Sequence, residues 1–323
     1  MSTLLQWVMH IKLPIICTSL VFLLLIACNR QDDNEPTNAK ESPVTIERSG
    51  WLASQEILEA SGMQASHSRR GDFFVHNDEG KPVIYAVDES GADLGSVLVV
   101  PAKNKDWEDM TSVVVEQGRW LVLGDIGDNQ ARRDSIKLYF VDEPQTGENN
   151  RYSGEQDLRH WLTLTYPDGA RDCEAMAYDP VDKQILLLSK RDKPPRLYAV
   201  DIETALSKDA AVLKFLGTIS PLRPPTIKDR AKWGGRVDFI SQPTGLDIST
   251  DGMEAVVISY RSLYRYKRHP DESWLSALNR RPEEVVGPPA VQNEAIAFAQ
   301  DGNFIFVTTE KLPAPIYRIE FSE

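Results

Sequence analysis

Cysteine is almost missing from this chain: there are three in 323 residues, Cys17, Cys28 and Cys173. The first two fall in or beside a leader, so the folded part holds one thiol and no internal disulfide can staple it. Histidine is nearly as scarce. His67, His76, His160 and His269 form neither a His-x-x-x-His nor a His–Cys grouping, which leaves zinc without its usual ligands. The chain has no G-x-S-x-G elbow, H-E-x-x-H helix, P-loop or G-x-G-x-x-G, so nucleophilic, zincin and nucleotide chemistries lack their markers. Positive charge is in deficit as well. With 36 Lys and Arg against 48 Asp and Glu the net charge is −12. That makes nucleic acid and anionic membrane surfaces poor electrostatic partners and favours cations and basic ligands.

What is present begins with a leader. MSTLLQWVMHIK carries Lys12, and the uncharged run LPIICTSLVFLLLIA follows. It is shorter than the ~20 apolar residues of a membrane span, and residues 1–27 read as an export signal. The run ends in Leu25-Ile26-Ala27-Cys28, which resembles the lipobox of bacterial lipoproteins. That resemblance implies a lipid on Cys28 and a membrane attachment through it. Asn29 in the next position implies, for a Gram-negative cell, the outer membrane facing the periplasm. Residues 28–43 then form a lipidated cysteine and a polar tether, reaching on the order of 20 Å as a coil. The mature chain carries 35 basic against 48 acidic side chains, a net charge of −13. Residues 44–323 contain no second linker and read as a single domain.

That domain is repetitive. Tyr85, Tyr139, Tyr198, Tyr264 and Tyr317 occupy the same place in five apolar runs, 54, 59, 66 and 53 residues apart. Each run follows two strand-like segments joined by a tight turn, as in CEAMAYDPVDKQILLLSKRD, and in several copies a weaker fourth segment follows. Four antiparallel strands, here A to D, repeated at about 50 residues make the blade of a β-propeller. The expected fold is all-β, with five repeats visible. Residues 221–237 lie in the longest interval and read either as a long loop or as part of a degenerate sixth repeat. The last repeat ends at its third strand, so VTIERSGWL at residues 44–52 is expected to close the ring as its fourth.

Strand polarity then collects the polar residues. The start of every A strand and the end of every B strand must share one face. That face receives Glu108, Glu174 and Glu294, which hold one position in three repeats, and brings Asp125 and Asp128 of the turn LGDIGDN beside them. These five are the candidate metal ligands. Asn77, Asp78, Arg171, Lys190 and Arg261 are the candidate ligand-binding residues. LGDIGDN on its own reads first as a connecting turn, because glycine and aspartate serve turns for local reasons, and any ion there must borrow ligands from other repeats.

The segments FFVHNDEG, DWEDM, LGDIGDN, YPDGARDCEAMAYDP and NEAIAFAQDG resemble exported bacterial propellers of the phytase-like and gluconolactonase-like kind. The resemblance implies an acidic channel mouth holding a divalent cation, calcium first. Two functions follow from it. One is an envelope-anchored propeller that binds a ligand or partner on its acidic face. The other is a divalent-cation-dependent hydrolase of a phosphoester or lactone, with Glu174 or Glu294 as general base. The lysine- and arginine-rich substrate motifs of phytases are not matched.

Overall fold

The computed structural model describes residues 44–147, 149–288 and 292–321. Cys28, the leader and the tether lie outside the described residues. Strand β1 (Val44–Trp51) comes first in the chain and belongs to the last blade. Blade 1 is β2 (Ala60–Ala65), β3 (Asp72–Asn77), β4 (Val83–Asp88) and β5 (Asp93–Val100). Blade 2 is β6 (Trp107–Val115), β7 (Gly118–Asp125), β8 (Ile136–Asp142) and β9 (Glu155–Thr165). Blade 3 is β10 (Cys173–Asp179), β11 (Gln184–Ser189), β12 (Arg196–Asp201), which runs on into the short helix α1 (Ile202–Ser207), and β14 (Lys214–Thr218), with the short β13 (Ala210–Val212) lying instead along β9. Blade 4 is β15 (Pro243–Ile248), β16 (Glu254–Ser259), β17 (Ser262–Lys267) and β18 (Glu283–Val286). Blade 5 is β19 (Asn293–Phe298), β20 (Ile305–Thr309) and β21 (Pro315–Phe321), completed by β1 in the order β1-β21-β20-β19.

The ring closes as the terminal repeat requires: β1 lies antiparallel to β21, from Val44 opposite Phe321 to Trp51 opposite Pro315. The innermost strands β2, β6, β10, β15 and β19 pack in a closed circle. The fold is therefore a five-bladed propeller. The long interval holds no sixth blade; it forms helix α2 (Ile227–Trp233) and the 3-10 helix Gly234–Ser241. Thr226 starts α2 with a capping box shared with Asp229, a local signal that wins over strand formation.

Every blade interface has its own apolar core. In β11, Ile185 and Leu187 face blade 2, where Val113, Phe140 and Leu162 meet them, while Leu186 and Leu188 face Leu246, Val257 and Tyr264 of blade 4. Side chains alternate across a strand, so a strand sandwiched between two neighbours must be apolar on both faces. QILLLS and EAVVIS are runs of this kind. The five tyrosines of the third strands are all buried in these blades.

Candidate functional site

The site is built by one irregularity repeated five times. The antiparallel register slips once in each inner strand, between Ala60 and Gly62, Trp107 and Asp109, Cys173 and Ala175, Pro243 and Gly245, and Asn293 and Ala295. The residues at the slip are Ser61, Glu108, Glu174, Thr244 and Glu294. A bulge bends its strand and re-aims a side chain. Here five bulges lie at one level around the axis, and three carry glutamates. The next position is small in four blades because the inner strands nearly touch: a Cβ on Gly245 would lie 2.5 Å from the Glu294 carbonyl oxygen. Only blade 2 puts a long side chain there, Asp109.

The bulges open into a cup of about 310 Å³. Its floor holds Glu108, Glu174 and Glu294, all buried. Asp78, Asp106 and Glu310 add three further carboxylates to the wall. Lys190, at the end of β11, reaches in and forms an ion pair with Glu174. Its Nζ lies 3.4 Å from the Tyr260 hydroxyl oxygen and 5.2 Å from the centre of that ring. Tyr260 donates to Glu294 Oε1 at 2.8 Å, and Ser61 donates to Glu108 Oε2 at 3.3 Å. Glu174, Lys190, Tyr260 and Glu294 thus form one chain of contacts across the cup.

The electrostatics follow from burying several like charges together. Burial first, and then repulsion from Glu174, hold the carboxyls of Glu108 and Glu294 well above the usual range. Burial pushes Glu174 up to about 7, against the pull of Lys190. Asp78 is pushed to about 7 by burial and then by Glu59. Burial opposes the charge on Lys190, but Glu174, Tyr260 and Glu294 outweigh it and raise the pKa.

Of the residues chosen from sequence, Glu108, Glu174, Glu294, Lys190 and Asp78 meet in the cup, and five others are engaged elsewhere. Asp125 pairs with Arg133 at 2.7 Å. Asp128 accepts the Arg133 N–H at 2.7 Å and donates its own N–H to Asp172 at 2.8 Å. The turn LGDIGDN is therefore held by its own charges and by blade 3. Asn77 accepts the N–H groups of Leu58 and Glu59, at 2.9 and 3.1 Å. Arg171 is bound to Asp168 and Tyr198, and Arg261 pairs with Asp229 at 2.7 Å, fastening α2. Each of these side chains is taken up by partners outside the cup.

Of the five candidate metal ligands, Glu108, Glu174 and Glu294 meet in the cup and Asp125 and Asp128 do not. Asp125 and Asp128 are spent on the turn, and the Lys190 ammonium stands among the remaining carboxylates. Among the described residues no three of His, Cys, Asp and Glu are grouped to hold one ion.

Sequence reasoning missed Asp106, Gln292, Trp233, Arg236 and Phe239, all of which line the cup. The first has a signal in hindsight, since it begins the acid-flanked DWED. The last three come from the long interval, where no repeat register exists to place them.

No family model matches the chain, and no curated protein matches it. Among solved structures it is similar to that of U3-55K, at 12% identity and a TM-score of 0.41, covering 86% of this chain and 98% of that one. A likeness at that level bears on neither the site nor its use.

Proposed function

We propose that this chain is an envelope-anchored β-propeller lipoprotein that binds a cationic ligand in the acidic cup at its mouth. One observation carries the reading: six carboxylates face the cup against Lys190, Arg191 and Arg236, and Arg191 is already bound to Asp172 and Asn129. Carboxylates brought together in a low-dielectric cavity gain from an added cation. The cup already houses one ammonium, that of Lys190, between a carboxylate and an aromatic face. An amine or guanidinium suits the lining of Asp78 and Glu294 with Trp233 and Phe239 beside it, Glu310 being already paired with Lys311 at 2.8 Å. The anchor rests on Leu25-Ile26-Ala27-Cys28.

The second reading is the divalent-cation-dependent hydrolase. It is favoured by Glu174, whose pKa near 7 beside Lys190 suits a general base.

Calorimetric titration of chelator-treated protein with N-acetyl-lysine methylamide, calcium chloride and glucose separates the two. The lysine amide should bind, glucose should not, and Glu294→Gln should weaken the amide by about tenfold, the scale of one charge-assisted hydrogen bond. Binding of calcium alone, with calcium-dependent hydrolysis of a phosphoester or a lactone that Glu174→Gln abolishes, would move the assignment to the hydrolase. No heat with either cation would overturn the cationic-ligand reading.

A further inference from the structure

The rim of the cup is unlike its floor. Large apolar side chains stand exposed on the face that the strand order gives to the cup: Leu58 before β2, Leu312 between β20 and β21, and Ile227 and Phe239 in the segment that carries α2, Phe239 lining the cup itself. They come from three separate parts of the chain and share one face. Ile227 is 87% exposed, and α2 buries none of its seven residues. The helix has no core to serve. It is held by its capping box and by the Arg261–Asp229 pair, which set its position without using its apolar side chain. Apolar groups gathered round a charged centre mark a surface that meets a partner.

We infer that the cation is presented by a protein, and that the mouth docks a segment of a partner bearing a lysine or arginine between apolar residues. This rests on the cationic-ligand reading of the cup. The chemistry of the two zones fits such a side chain from end to end. Its charged head enters beside Asp78 and Glu294, its methylene stem lies along Phe239 and Trp233, and its apolar neighbours cover Ile227, Leu312 and Leu58. A bare metal ion or a small free amine would leave the rim unused. The mature net charge of −13 favours a basic partner and speeds its approach.

The test uses three probes on the whole chain: the peptide acetyl-Leu-Ala-Lys-Ala-Leu-amide, the same peptide with Gln for Lys, and N-acetyl-lysine methylamide. The lysine peptide should bind at least about tenfold tighter than the lysine amide, as burial of two leucine side chains on the rim implies. The Gln peptide should bind weakly or not at all. Ile227→Ser combined with Leu312→Ser should bring the lysine peptide down to the affinity of the amide and leave the amide unchanged, with the melting temperature as a check on folding. If the amide binds and the peptide binds no tighter, the docking proposal falls and the cup reading stands. Equal binding of the Gln and Lys peptides also overturns it, because the rim would then act without the cup. If neither lysine probe binds, both readings fall together.

Discussion

Asp109 of blade 2 accepts the backbone N–H of Met176 in blade 3 at 2.8 Å and, through the same Oδ2 atom, that of Leu246 in blade 4 at 3.2 Å. Its Oδ1 accepts the N–H of Met110 at 2.8 Å. One carboxylate therefore ties three inner strands together one residue after the bulge that carries Glu108. In the other four blades Gly62, Ala175, Gly245 and Ala295 hold this position, and their backbones crowd close enough for a single side chain to span them.

Asp109→Ala should destabilise the protein by about 3 kcal/mol or more, since two N–H donors on other blades lose their acceptor inside a buried channel. Asp109→Asn should cost less, because its amide oxygen can keep the two bonds between blades. Urea unfolding measures both, and equal midpoints for Asp109→Ala and wild type would remove the tie.

Gly127 separates the two aspartates of the turn LGDIGDN, and a Cβ there would lie 2.3 Å from Glu108 Oε1 and 2.5 Å from Asp106 Cγ. The glycine is thus required by the floor of the cup and not by the turn alone. Gly127→Ala should displace both carboxylates, at a cost of about 1–3 kcal/mol for overpacking, and weaken the binding of N-acetyl-lysine methylamide. An unchanged calorimetric titration of this variant would show that the cup tolerates the shift.

The repeat was legible because each blade is stacked between neighbours. Two apolar faces per strand and a tyrosine at a fixed place gave the five blades, and the missing fourth strand after β21 pointed to β1. Glu108, Glu174 and Glu294 were legible because a shared register fixes their level on the axis. Asp125, Asp128, Arg171 and Arg261 share that face too, but whether a long polar side chain turns to the axis or to a near partner depends on Arg133, Tyr198 and Asp229, which the repeat does not place. Trp233, Arg236 and Phe239 belong to no repeat, and the capping box at Thr226 was the local sign that the long interval is helical.

Stability should depend on pH through Asp247, which accepts the N–H of Phe298 at 2.8 Å and that of Ile248 at 2.9 Å. Burial nevertheless pushes its pKa from 3.8 up to about 7. The folded chain keeps a proton that the unfolded chain has released, so this contribution is fully present on the acid side and is lost as pH rises from near 4 to about 7. The slope is at most about 1.4 kcal/mol per pH unit. His76 acts with the opposite sign: burial lowers it from 6.5 to about 4, and its contribution is lost as pH falls through that range. Asp247→Asn should remove one proton's worth of slope between pH 4 and 7 in urea unfolding. A slope equal to that of wild type would rule out titration of Asp247 in this window.

The lipid anchor is tested at Cys28. Cys28→Ser should block both lipidation and cleavage by the lipoprotein signal peptidase, leaving full-length precursor in the cell. Incorporation of labelled fatty acid into the variant at the wild-type level would place the lipid elsewhere or remove it from the account.

Ring closure gives the sharpest contrast between two deletions near one another in sequence. β1 supplies the fourth strand of blade 5, and Val44 and Ile46 pack with Phe321 against the core between blades 4 and 5. Arg48 lies 4.6 Å over the ring of Trp51 on the same strand. Deleting residues 44–51 should strip β21 of its partner, expose its edge and drive aggregation, with a fall in melting temperature of several degrees for the soluble fraction. Deleting residues 29–39 of the polar tether should leave the melting temperature unchanged. The closure is a staple and not a decoration only if the two deletions differ, and identical melting curves would defeat it.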